Sequence, residues 1–170
     1  FQYLILVELS TKTIPGGVHY MTEEKGNTAK EVMVRLKTRI EHEDDVENIE
    51  LVTFGTLHHM PNATYVRYIE HVENNGKINT TVKYDGNEML IIRTGAVKMK
   101  QLYKIGSITE GSYDSIHGTL DLSTHTIALN HTVNKETNEE EFTVSYHLFL
   151  QDENVGHYHL TLTVKEENNQ

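Results

Sequence analysis

Residues 142–150 read Phe142-Thr143-Val144-Ser145-Tyr146-His147-Leu148-Phe149-Leu150. After a turn at Asn154-Val155-Gly156 the chain resumes as His157-Tyr158-His159-Leu160-Thr161-Leu162-Thr163-Val164. Apolar side chains recur at every second position in both runs. A strand sends successive side chains to opposite faces, whereas a helix would need apolar residues three and four apart. Asn and Gly suit the backbone of a tight turn. The stretch therefore predicts a β-hairpin. Phe142, Val144, Tyr146, Leu148 and Leu150 lie on one face, and Tyr158, Leu160, Leu162 and Val164 point inward from the next strand.

The same period continues outward from this hairpin. Val32, Val34, Leu36 and Ile40 alternate with Met33, Arg35, Lys37 and Arg39. Further strands are predicted over 49–57, 63–72, 77–84, 88–94 and 97–105. Asn74-Asn75-Gly76 and Asp85-Gly86 carry hairpin-turn chemistry. Gly106 and Gly111 punctuate a short segment. Residues 118–133 form one long bent strand or two short ones: Leu120 and Leu122 share one parity, and Ile127, Leu129 and Val133 the other. The switch near residues 123–126 predicts a bulge or corner. Residues 41–47, Glu-His-Glu-Asp-Asp-Val-Glu, read as a solvated acidic turn rather than a site for a hard cation.

The count comes to about eight to ten strands with no helical period. The fold class is all-β, an antiparallel up-and-down barrel, with a two-sheet sandwich as its rival. Closure removes exposed edges and leaves an interior that is filled or holds one small ligand.

The 170 residues fit one domain. Residues 30–166 are expected to form the barrel, and 167–170 a polar tail. Residues 1–29 read as a leader or N-terminal extension. Their apolar run, Tyr3 to Val7, is short and stops at Glu8, and no basic region precedes it. Met21 reads as the native start; the competing reading makes Tyr3 to Val7 a real strand. There is no Cys, which excludes disulfides, thiolate metal sites and a Cys nucleophile. The net charge of −10 disfavours nucleic acid and anionic membranes, since phosphate binding needs clustered cations. No apolar run approaches the ~20 residues of a membrane span. A cytoplasmic location is expected.

Histidine is abundant, at 11 residues. His157 and His159 flank Tyr158 and share a face, where His147 could meet them if the last two strands pair. A metal site needs three or four ligands, and acidic candidates fall only in turns, so these read as surface histidines with no metal expected. No nucleophile elbow, phosphate loop or zincin motif is present, and no cofactor or catalytic set is expected.

Arginine is more informative. Arg67 shares a face with Tyr65 and Ile69, and Arg93 with Met89 and Ile91. An inward Arg needs a carboxylate, an aromatic ring or a bound anion. The competing expectation, a head group in water at the rim, is the simpler one.

Met89-Leu90-Ile91-Ile92-Arg93-Thr94-Gly95-Ala96-Val97-Lys98-Met99 is similar to the central segment of the YwiB-like family of uncharacterised bacterial proteins. The strand at 77–84 and the hairpin at 142–164 also resemble that family, so the likeness covers roughly residues 30–166. It implies a lipocalin-like, calycin-type barrel in the cytoplasm of a Gram-positive bacterium. It brings no activity, but draws attention to Arg93, Gly95 and Lys98. The residues expected to meet a ligand are then Arg67, Arg93, Lys98, Tyr65 and Tyr84.

Three functions are open. The foremost is a binding module for a small apolar or amphipathic ligand with an acidic head. The second is an interaction domain acting through a sheet edge or a homodimer interface. An enzyme ranks last.

Overall fold

The computed structural model describes residues 29–73 and 76–167. The leader, the Met21 start, Asn74-Asn75 and the last three residues of the tail lie outside the described residues. Ten strands follow in chain order: β1 (Lys30–His42), β2 (Asp45–His59), β3 (Thr64–Val72), β4 (Gly76–Tyr84) and β5 (Glu88–Gly95), then β6 (Lys98–Lys104), β7 (Ile108–Ser115), β8 (Gly118–Asn134), β9 (Glu139–Leu150) and β10 (Glu153–Glu166). Each pairs antiparallel with the next, and β10 pairs with β1, so the barrel closes. The sandwich alternative is thereby excluded.

Alternation sets the interior. Val32 and Val34, Val66 and Tyr68, Phe142 and Val144, and Leu162 and Val164 are all buried. The predicted hairpin is β9–β10, paired from Lys165–Glu139 to Glu153–Leu150. The predicted bulge in β8 sits at Ile127, between the Thr126 and Ala128 rungs. Thr124 and Thr126 continue the inward face of Leu120 and Leu122, and Leu129 resumes it after the bulge. Ile127 itself is exposed, because the extra residue of a bulge turns out of the ladder. Val133 is exposed near the strand end as well.

The acidic 41–47 segment is shorter as a turn than its composition suggests. β1 runs through His42 and β2 restarts at Asp45, with Glu43 at φ 53°. Glu41 is therefore a ladder residue, opposite Val46 on β2 and His157 on β10.

Two turns show why their residues are there. The Asp85 carboxylate accepts the N–H groups of Asn87 and Glu88, at 2.9 and 2.8 Å. Gly95 has φ 106°, and a Cβ there would stand 2.2 Å from the Lys77 carbonyl oxygen. No other residue fits that approach.

The ladder is uneven. β8–β9 shares twelve rungs, but β6–β7 only three and β2–β3 only five. Where β6 and β7 part, the Gln101 side chain fills in: Nε2 donates to the Leu102 carbonyl and to Thr124 Oγ1, both at 3.0 Å. No helix among the described residues is long and apolar enough to cross a membrane.

Candidate functional site

Inside the barrel lies a largely apolar cavity of about 80 Å³. Its polar feature is an ion pair. Arg93 continues the inward parity of Met89 and Ile91 on β5 and is 4% exposed. Glu70 shares the inward face of Val66 and Tyr68 on β3. Arg93 Nη2 lies 3.1 Å from Glu70 Oε2. From β4, between the two strands, Thr80 Oγ1 donates to Glu70 Oε1 at 3.4 Å. The expected rim position of Arg93 is thus corrected. A carboxylate two strands away neutralises the guanidinium, and a paired charge tolerates burial that a lone one does not.

Tyrosines make up much of the wall. Tyr68, Tyr103, Tyr113, Tyr146 and Tyr158 are buried and line the cavity. The Tyr103 and Tyr146 rings are 4.7 Å apart and their hydroxyls are hydrogen-bonded; Tyr146 stacks on Tyr158 at 5.4 Å. Burial pushes the Tyr103 phenol up to about 12 and raises Tyr146 well above its ordinary value. Tyr68 is raised by burial and then by the Glu70 charge. Three buried polar atoms of cavity-lining residues have no hydrogen-bond partner: Arg93 Nε, Tyr113 Oη and Gln101 Oε1, the last lying against Gly111. Buried polar groups are almost always satisfied, so these atoms have hydrogen-bonding capacity to spare.

Of the sequence-predicted residues, Arg93 alone reaches this cavity. Arg67 and Tyr65 alternate with Val66 and Tyr68, so they point outward. The Arg67 guanidinium sits 5.3 Å from the Tyr65 ring centre. Arg67 also lines an open outer groove of about 570 Å³ with Phe54 and Ile69. Lys98 is exposed at the start of β6, opposite Asp114. Tyr84 is half-buried at the opposite end of β5's neighbour β4, where its hydroxyl donates to the Gly86 carbonyl at 3.3 Å. Near it, the buried Glu140 carboxylate meets His59 Nε2 at 2.5 Å and His131 Nε2 at 2.9 Å, closing that end. Glu70, Gln101 and the tyrosine set were not singled out from sequence. Their shared parity with buried aliphatic residues was the available signal.

The outer wall carries the histidines. His147 pairs across the ladder with His157, as the β9–β10 pairing predicted, and on its other side with His125 of β8. The His147 and His157 rings stack at 4.6 Å, and those of His157 and His159 lie 4.1 Å apart. Partial burial, then the neighbouring His159 and His147, lowers His157 from its ordinary value.

The ten described strands close into one ladder, but β2 pairs with β3 only from Gly55 to His59 and with β1 from Asp45 to Leu57.

Known proteins match this architecture. A Bacillus subtilis (strain 168) protein described as the uncharacterized β-barrel protein YwiB is 30% identical over 132 residues, covering 78% of this chain and 91% of that one. The crystal structure of the ywiB protein from Bacillus subtilis superposes with a TM-score of 0.72 at 26% identity, covering 82% of this chain and 94% of that chain. The model of a domain of unknown function, DUF1934, matches residues 34–162. The Arg93 strand and all of the β9–β10 hairpin except the end of β10 after Leu162 fall inside that match, and the chain belongs to the DUF1934 family.

Proposed function

We propose that this barrel is a non-enzymatic binding module for a small, compact molecule held in the interior beside Arg93. The observation that carries the reading is the largely apolar interior cavity lined by Arg93 and Tyr113, whose Nε and Oη atoms are unpartnered. Pockets of this kind use apolar walls for affinity and a few fixed polar groups for orientation.

The cavity also limits the ligand. An apolar cavity of ~150 Å³ takes benzene, with its six carbons, so about 80 Å³ suits a ligand on the order of three to four non-hydrogen atoms. A lipid chain does not fit. Glu70 already neutralises Arg93. A second carboxylate would leave the buried group with a net negative charge, at a cost of several kcal/mol. The favoured ligand therefore presents a neutral acceptor, a carbonyl, amide or hydroxyl oxygen, instead of the acidic head expected from sequence.

Native mass spectrometry of the full chain purified from its own host tests this. The expected result is a co-purified small molecule. Its occupancy should vanish in Leu148→Phe, which fills the cavity, and fall about 3–10-fold in Tyr113→Phe, the worth of one hydrogen bond. A bare chain that also ignores a panel of small amides and alcohols of about three to four non-hydrogen atoms in an NMR titration overturns the proposal. So does occupancy that survives Leu148→Phe in a folded variant.

A further inference from the structure

The outer wall holds a second arrangement, independent of the cavity. β10 carries His157 and His159 on its outward face because a bulge between the Asn154 and Gly156 rungs sets their parity. Gly156, at φ 145°, permits that bulge, and a Cβ there would stand 3.0 Å from the Glu41 carbonyl oxygen. β10 thus runs close against β1 at Glu41, which is the ladder partner of His157. Ligand atoms of Glu41, His157 and His159 all lie within 4.8 Å of one another. Glu41 Oε1 is 3.9 Å from His159 Nε2.

We propose that Glu41, His157 and His159 form a binding site for a divalent transition-metal ion of the zinc type. Two imidazoles and one carboxylate suit a borderline cation; calcium or magnesium would require oxygen ligands. Three protein ligands leave a coordination position for water or for an outside donor, and His147 stands one strand away as a further imidazole. Outer partners are in place: Ser145 Oγ is 2.7 Å from His157 Nε2, and Arg39 Nε donates to Glu41 Oε1 at 2.8 Å. The carboxylate keeps its second oxygen for the ion. The net charge of −10 favours cation capture. The ligands come from the first and last strands, so the ion clips the seam that closes the barrel.

From sequence alone the acidic candidates fall in turns and no metal is expected. The extension of β1 through His42 supplies the missing ligand.

Titration of ZnCl2 into the EDTA-stripped full chain, by calorimetry, tests the proposal. The expected result is one ion per chain, with affinity reduced ~10–100-fold or more in His157→Asn, His159→Gln and Glu41→Gln. His117→Gln, an exposed histidine elsewhere, should bind as the parent does. CoCl2 added to the unaltered chain should develop the intense visible bands of a low-coordinate site, a readout that needs no variant. Absence of stoichiometric zinc binding overturns the proposal. Undiminished binding in the folded ligand variants overturns it too, since the ion would then sit elsewhere.

Discussion

Arg93 shows what one residue's environment can decide. Its guanidinium and the Glu70 carboxylate are both almost fully buried. Removing one partner strands the other charge in an apolar interior, which typically costs ~3–5 kcal/mol. Arg93→Met and Glu70→Gln should each lower stability by about that amount in urea denaturation. The double variant should lose clearly less than the sum, because it leaves no lone charge. Additive losses would mean that the two side chains do not act as a pair. The buried tyrosines make a second residue-scale prediction. The folded-state pKa values of Tyr68, Tyr103, Tyr146 and Tyr158 lie above the unfolded value of about 10, so deprotonation favours the unfolded chain. Stability should be complete below that pH and decline as it rises toward about 12, where Tyr103 titrates. The part of the phenolate absorbance that belongs to the buried tyrosines should rise together with loss of structure rather than ahead of it. Parity made the inward set legible from residues such as Phe142 and Val144, but on β3 it left the face open, and Tyr65 and Arg67 turned out to lie outside. It could not say that Arg93 would follow Ile91 inward, because that depends on Glu70, which reaches it only across β4.

Elements were legible where alternation was long and turns were chemically marked. The β9–β10 hairpin and the Asp85-Gly86 turn are of that kind. Asp85→Ala should cost about 1 kcal/mol, one to two modest hydrogen bonds, measured by thermal or urea unfolding. The Asn87 and Glu88 N–H groups hold the Asp85 carboxyl below its ordinary value. Its contribution is therefore present above pH ~4 and lost as pH falls below that. Gly95→Ala should be costlier, at least ~2 kcal/mol, since it combines a disfavoured backbone with a clash on the Lys77 carbonyl. The less legible elements are those where turn and strand share a composition. The acidic 41–47 segment looks solvated, and it is, yet most of it is ladder. The β8 switch was visible as a parity change, but its residue was not, because Thr124 and Thr126 are polar and still face inward.

At the scale of the molecule, closure joins the two ends of the described chain through ten rungs of β1–β10. The weak places are the short β6–β7 and β2–β3 seams. Hydrogen exchange should find the amides of residues 101–104 and 108–111 less protected than those of the long β8–β9 ladder. Uniform protection around the barrel would contradict that ranking. The cavity was not legible at all, since an interior space depends on how ten strands tilt and how their side chains meet. The account's central claim concerns that space: it holds a compact molecule that accepts a hydrogen bond from Arg93. High-resolution diffraction from crystals of the chain purified from its own host tests it most directly. The account predicts density larger than water in the cavity, within hydrogen-bond distance of Arg93 Nε and Tyr113 Oη. Both atoms bonded to ordered water alone, or to other side chains in a collapsed interior, would contradict it.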